Sequence, residues 1–520
     1  MAFPIHSKAA AAGPGRADDG RAAAWPYALP ILAAVLAAAF YSRFWLSHDD
    51  SWYLIATRKF IEGARLYVDV MEVNPPLNFY LTAPALYLAD LSGLSDTVAY
   101  VLQVCVLGGL SGLWLTRVVL RSDLDRREQA ALVAVGLIGL FLLPISEFAQ
   151  REHLLLVFAL PYFMLLVVGP DRIAIGRAEQ FAMGLAGMLG LALKPHFLLI
   201  PAAIAIVGPW RGLPRRLFAP ANLGLAAGLL AYALFTLAAH PEYFSGILGV
   251  ASKIYGAFGR STFSVLARWE TVAVVLFALY VRGRLAGDAT AQRLSAATGA
   301  AFLAYLAQFK GWNYHLIPFD FFIGATVVWI AVHAPAPRTG KLARGAMAVA
   351  IVACTLGVQL ERGPYDPVST RAFAPFIERK GETIMVYSTN VSAAFPFVNA
   401  VEGTWASRYP AQWTIPGAYR ELQSPRCLEP GDPCAEYRRI LEDTRVADTE
   451  DLVRYRPDVV FVEVRENKSY FGGVPFDFLV FLKEDPSFAR EWAHYRKVGS
   501  VGKAVDVWRR APLPNETAPR

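Results

Sequence analysis

Apolar residues run through the first two-thirds of the chain in long blocks separated by short polar breaks. The blocks are Tyr27–Leu46, Thr97–Leu120, Gln129–Glu147, Leu154–Val168, Phe181–Leu193, Pro195–Pro209, Leu217–Ala239, Thr271–Val281, Leu294–Gln308, Ile317–His333 and Leu342–Gln359. A hydrocarbon core of about 30 Å takes about 20 apolar residues as helix, so these blocks predict about eleven crossings, with thirteen as the upper bound. The run Pro76–Leu91 is shorter, reaching about 24 Å at about 1.5 Å per residue. It contains Pro84 and is followed by a stretch without basic residues, Asp90–Asp96. It therefore reads as a juxtamembrane or re-entrant helix.

The last third, residues 361–520, lacks such blocks. Glu382–Tyr387, Asp458–Val464 and Val501–Trp508 read as strands and Glu436–Arg445 as a helix. This predicts a separate α/β domain of residues 361–520 after a membrane domain of residues 25–360. Residues 1–24, rich in Ala and Gly and basic, read as a disordered cytoplasmic tail.

Basic residues orient the helices. Lys8, Arg16 and Arg21 precede the first block. Arg121, Arg126 and Arg127, then Arg172 and Arg177, Arg211, Arg215 and Arg216, Arg282, Arg284 and Arg293, and Arg338, Lys341 and Arg344 fill alternate breaks. With these on the cytoplasmic side, the N-terminus is inside, the C-terminus outside, and the α/β domain periplasmic. Composition agrees: of 520 residues, 55% are hydrophobic and 18% charged, against about 25% charged in soluble domains. The formal charge of +7 is explained by orienting residues and implies no nucleic-acid partner. The Ala, Gly and Arg content suggests a GC-rich bacterium, and the expected location is its inner membrane. Cys105 and Cys354 lie inside apolar blocks and read as packing residues. Cys427 and Cys434 flank a short turn in the outer domain, where a disulfide suits an oxidising periplasm.

This topology gathers the unusual polar residues on the outer face. After the first block comes His48-Asp49-Asp50-Ser51-Trp52-Tyr53, and about twenty residues on, Glu72-Val73-Asn74-Pro75-Pro76-Leu77. Adjacent carboxylates raise one another's pKa unless a cation or donor compensates, so such a pair more often does chemistry than stabilises a fold. The same face receives Glu147-Phe148-Ala149-Gln150-Arg151-Glu152-His153, Lys194-Pro195-His196 and Lys310-Gly311-Trp312-Asn313-Tyr314-His315. It also receives the loop His240–Glu270 with Lys253, Tyr255 and Arg260. Arg, Lys and His converging at headgroup level suit a phosphate-bearing lipid. For each alone there is a plainer role: Lys194 snorkelling to the interface, His196 and His315 as interfacial hydrogen-bonding residues.

An N-terminal span, an outer loop with an acidic pair, an acid shortly before Pro-Pro-Leu, many further spans and an outer C-terminal domain resemble the C-type glycosyltransferase superfamily (GT-C). The protein O-mannosyltransferases and the lipid A aminoarabinose transferase are the most similar groups. The resemblance covers residues 25–360 in architecture and is specific in Asp49–Leu77, with echoes at Glu147–His153 and Lys310–Pro318. It implies a sugar donor carried on a polyprenyl phosphate and an envelope lipid, glycan or protein as acceptor. Asp49 takes the catalytic position, with Asp50 beside it in the outer loop 48–76. Arg151, Lys194, Lys310, Tyr314 and His315 are expected at the donor phosphate. Tyr53, Glu147, Glu152, His153 and Arg260 are expected to bind substrate. Asn74 stands where the family often has Lys or His. Glu72 is the expected ligand of a divalent metal ion, which the chemistry allows and the sequence does not demand. The donor is already activated, so no nucleotide cofactor is needed, and no P-loop or dinucleotide fingerprint is present. Two other classes fit parts of the pattern: a transporter or flippase of a lipid-linked glycan, which would favour midplane charges and internal repeats, and a polymerase or ligase of longer glycans.

Overall fold

The structure, a computed structural model, describes residues 25–333 and 340–511. The expected tail 1–24 lies outside the described residues, as do Arg338 and the end of the outer domain.

The apolar blocks fold as helices, as does the run Pro76–Leu91, and the expected outer loop 48–76 begins with a helix as well. The first are α1 (Trp25–Tyr41), α2 (His48–Ile61), α3 (Leu77–Ser92), α4 (Asp96–Leu120), α5 (Arg126–Phe141), α6 (Arg151–Val168), α7 (Arg177–Leu193) and α8 (Leu199–Ile206). They continue with α9 (Pro220–Ala239), α10 (Trp269–Val281), α11 (Ala289–Gln308), α12 (Ile317–His333) and α13 (Lys341–Arg362, through one π turn). Among the described residues, five helices are long and apolar enough to cross a membrane: α4, α6, α9, α12 with its preceding turn, and α13. A sixth results if Pro195–Ile206 and Trp210–Leu217 count as one span bent by 119°. That is fewer than the predicted eleven. Helices α1, α5, α7 and α10 are present but have 17, 16, 17 and 13 residues. The 20 residues of α11 include Thr, Ser, Gln and Arg.

Other boundaries also moved. The block expected to run to Glu147 stops at Phe141, and residues 142–150 form a turn with Ala149 at φ +73°. The presumed loop His240–Glu270 is a string of short helices, including Leu248–Ile254 and Thr262–Leu266.

Local sequence explains the ends and crossings. Ser95 caps α4 by accepting from Val98 N at 3.3 Å. Asp125 and Glu128 form a reciprocal capping box on α5,. Helices α7 and α9 cross closely because Gly184 and Gly224 face each other's backbones. A Cβ on Gly184 would lie 1.8 Å from Ala221 O, and one on Gly224 2.1 Å from Phe181 O. Helix α6 is the hub: 94% of its apolar window is buried, against 17% for α13.

The C-terminal domain, called outer here for the side on which the sequence is expected to place it, holds a five-stranded sheet in the order β2-β1-β3-β5-β4, formed by β1 (Thr383–Tyr387), β2 (Thr404–Trp405), β3 (Val459–Glu463), β4 (Tyr495–Val501) and β5 (Val505–Arg510). Strands β2, β1 and β3 run parallel; β5 and β4 are antiparallel additions. The predicted strand Val501–Trp508 is really a hairpin. Gly502, at φ +56°, turns the chain between β4 and β5,. The predicted helix Glu436–Arg445 extends over Ala435–Tyr455, here α14. Cys427 and Cys434 are disulfide-bonded, and Cys105 is buried. The apolar core of this domain does not stop at residue 361. It continues through Trp52, Tyr53, Tyr67 and Phe79, and through Tyr243, Ile254 and Phe258. The segment carrying the acidic pair is thus packed into the outer domain.

Candidate functional site

A cavity of about 470 Å³ opens where α2, the start of α6, the turn 311–314 and the outer-domain loop 389–392 meet. Of the residues singled out in the sequence, Asp49, Tyr53, Glu72, Glu147, Arg151, Arg260 and Tyr314 line it.

Asp49 and Asp50 begin α2, where carboxylates complement the helix dipole,. Consecutive helical positions point about 100° apart, and the two side chains part company. Asp49 faces the cavity. Its Oδ2 accepts from Arg151 Nη2 at 2.8 Å, while Oδ1 has only His48 Nε2 at 3.6 Å. Burial alone would raise its pKa, but His48, Arg151 and Lys194 together hold it below the ordinary carboxylate value. Asp50 turns inward and is not on the cavity wall. Its Oδ2 accepts from Ser47 Oγ at 2.8 Å, and Ser47 Oγ accepts from Gln150 Nε2 at 2.6 Å. Burial pushes Asp50 well above the usual range. It ties α2 to the start of α6 and touches no ligand space.

Arg151 stands on the inner wall, with further basic side chains behind it. The Arg151 guanidinium lies 5.5 Å from the centre of the Tyr53 ring. Only its Nη2 is used; Nε and Nη1 are buried and hydrogen-bond nothing. Lys194 Nζ is 3.2 Å from Glu152 Oε1, and His315 Nε2 is 3.4 Å from the same oxygen. Lys194 also lies 5.6 Å from the Tyr314 ring centre. Lys310 Nζ sits over the rings of Tyr255 at 3.6 Å and Trp312 at 4.8 Å. Burial, helped by Lys194 and Arg151, pulls the Lys310 ammonium down to about 7 and also lowers Lys194. Lys194, Lys310, His315 and Glu152 lie behind the lining.

Three further expectations are corrected in detail. His153 does not reach the cavity: its Nδ1 accepts from Ala149 N at 2.9 Å and its Nε2 donates to Leu140 O at 2.8 Å. It clamps the left-handed Ala149 and so fixes the turn that presents Arg151. Glu72 accepts from Trp52 Nε1 at 2.9 Å and from Asn74 N at 3.0 Å and Nδ2 at 2.5 Å. Asn74 thereby folds its own turn instead of facing a phosphate. Glu72 is thus engaged in its own turn and Asp49 is paired to Arg151, and among the described residues no group of three His, Cys, Asp or Glu side chains is placed to hold a metal ion. Glu147 does line the cavity, and burial brings its pKa up to about 7.

Sequence reasoning missed the outer domain's share. Tyr365, Thr389, Asn390, Ser392, Trp413 and Tyr470 complete the cavity. Tyr365 Oη meets His48 Nδ1 at 3.0 Å. Helix α2 is held from the same side. Asn399 Nδ2 donates to Ser51 O at 3.0 Å, Lys59 Nζ donates to Ser407 O at 2.9 Å, and Trp52 packs on Phe395. Arg268 was also missed. It donates to Gly311 O at 2.8 Å and Asn313 Oδ1 at 2.6 Å, bracing the turn between α11 and α12. No signal in hydropathy marks such loop contacts.

No family model matches this chain, and no curated protein matches it.

Proposed function

We propose that this protein is a multi-pass membrane glycosyltransferase of GT-C type, in a bacterial inner membrane with its site facing the periplasm. It moves a sugar from a polyprenyl-phosphate donor to a hydroxyl of an envelope lipid, glycan or protein. The observation carrying this reading is one ionised carboxylate, Asp49, facing a cavity backed by Arg151, Lys194, Lys310 and His315, with two Arg151 nitrogens unspent.

The geometry suggests the chemistry. Buried donors without partners are rare, and phosphate oxygens satisfy a guanidinium well. The donor phosphate would take Arg151 Nε and Nη1, with Lys194 and Lys310 adding charge. The acceptor hydroxyl approaches Oδ1 of Asp49. Its oxygen forms the new bond to the anomeric carbon as the bond from that carbon to the phosphate oxygen breaks. The hydroxyl proton passes to Asp49, and polyprenyl phosphate departs with the bonding pair. A fixed positive wall where negative charge develops lowers the barrier without reorganisation, and a carboxylate within reach supplies general-base help.

The test is mass spectrometry of envelope lipids and glycans from a deletion strain, complemented at equal protein level by wild type or Asp49→Asn. A sugar lost on deletion and restored by wild type alone supports the reading. Restoration by both versions refutes the role of Asp49 and favours lipid-linked glycan transport.

A further inference from the structure

A second cavity, of about 450 Å³, lies in the outer domain beside the first. It sits at the carboxyl ends of β1 and β3. Strand β1 pairs with β2 on one side and β3 on the other, and the chain passes from β2 across to β3. The crevice outside such a reversal point is where parallel sheets bind ligands, because the connections diverge there and leave a gap.

Its lining has two characters. Phe373, Val386 and Val505 supply an apolar side. The other side is polar and built. Buried Glu463 accepts from Ser388 Oγ at 2.6 Å and from Arg465 Nη2 at 2.6 Å, so the charges at the floor neutralise each other. Ser369 Oγ donates to Ser392 O at 2.7 Å, and Thr389 Oγ1 donates to Ser469 O at 3.1 Å, which fixes the rim. Among the described residues, the side chains of Asn390, Ser392 and Ser469 make no hydrogen bond. Asn390 and Ser392 line both cavities, so the loop 389–392 is a shared edge and not a barrier.

We infer that this crevice binds the saccharide portion of the acceptor, a neutral, hydroxyl-rich chain whose reactive end crosses the 390–392 edge toward Asp49. This rests on the glycosyl-transfer reading. A sugar ring has a hydroxyl rim and an apolar C–H face, and the crevice offers amide and hydroxyl groups opposite aromatic and aliphatic ones. Its floor is charge-balanced, which gives a strongly charged ligand no advantage. A volume of this size falls within the range of small-ligand sites.

The test is saturation-transfer NMR on the purified full-length protein. The neutral probes are maltotriose, mannotriose and chitotriose, the acidic control is trigalacturonate, and the peptide control is a Ser/Thr-rich hexapeptide. Ala372→Trp and Ala504→Trp each place an indole in the crevice at positions that do not line the first cavity, and either suffices if the other fails to fold. A neutral trisaccharide is expected to bind wild type, and to bind a folded Trp variant at least ten-fold more weakly. Equal binding by the Trp variants, no binding of any neutral probe, or preference for the acidic or peptide probe overturns the inference. Because the readout is binding, it stands apart from transfer: an Asp49→Asn variant that still transfers sugar would sink the functional reading whatever the crevice binds.

Discussion

The two ends of the helical bundle treat charge in opposite ways. At the end away from the cavity, arginines are matched singly and in the open. Arg117 pairs with Glu179 at 2.9 Å, Arg172 with Asp123 at 2.8 Å and Arg215 with Asp171 at 2.9 Å. At the cavity end, Arg151 and Lys194 are buried beside Asp49 and Glu152, with His315 and the half-buried Lys310 near them, and two Arg151 nitrogens are unspent. Exposed pairs contribute little and cost little to keep. Buried cations with unspent donors are expensive to keep, so they persist where a ligand or a reaction needs them.

The sharpest way to break the comparison is to neutralise one residue at each end. Asp49→Asn is expected to lower sugar transfer about 10²- to 10⁴-fold, the usual weight of a general base. Arg117→Ala should leave it within two-fold, measured as product per mole of purified protein. Equal losses would erase the distinction. Stability should separate the ends as well. Arg151→Met leaves Asp49 without its partner and is expected to cost about 3–5 kcal/mol, read from unfolding in detergent. Arg215→Ala should not shift the midpoint measurably.

The pH profile separates roles within the cavity. Lys310, with a pKa of about 7 when no ligand is bound, is cationic below that pH and neutral above it. Donor binding should therefore weaken as pH rises through 7, and Lys310→Met should flatten that dependence. Asp49 is held ionised below its ordinary pKa, so it gives no acidic limb near neutrality. If Glu147, at about 7, were the base instead, the rate would rise through that pH and the limb would vanish in Glu147→Gln. The smallest effect is expected at the Cys427–Cys434 bridge, whose ends are 7 residues apart in sequence. Closing so short a loop stabilises by roughly 2 kcal/mol. Reduction should lower the unfolding midpoint slightly and leave transfer unchanged.

Helices α4, α6 and α12 were legible because long apolar runs with polar breaks have few other solutions in a chain of this composition. Charges beside apolar runs singled out Asp49 and Arg151, but their ion pair at 2.8 Å was not read from them. What hydropathy does not carry is direction. It does not show that Asp50 turns inward while Asp49 faces the cavity, or that both nitrogens of His153 are spent on the backbone. Nor does it show Glu72 closing a turn with Asn74. The outer-domain rim was hidden for another reason. Tyr365 and Asn390 lie more than 300 residues beyond Asp49, and only the shared core through Trp52 and Phe395 brings them together. The hairpin at Gly502 was missed because β4 and β5 are nearly continuous in sequence, with the turn hidden in one glycine.

The most direct measurement follows lipid turnover by purified protein in liposomes made from the total lipid extract of the deletion strain. Wild-type protein is expected to consume a sugar-linked polyprenyl phosphate and release free polyprenyl phosphate, while Asp49→Asn leaves the sugar-linked lipid intact. Consumption by Asp49→Asn at the wild-type rate, or no consumption of any sugar-linked lipid by wild type, would contradict the account.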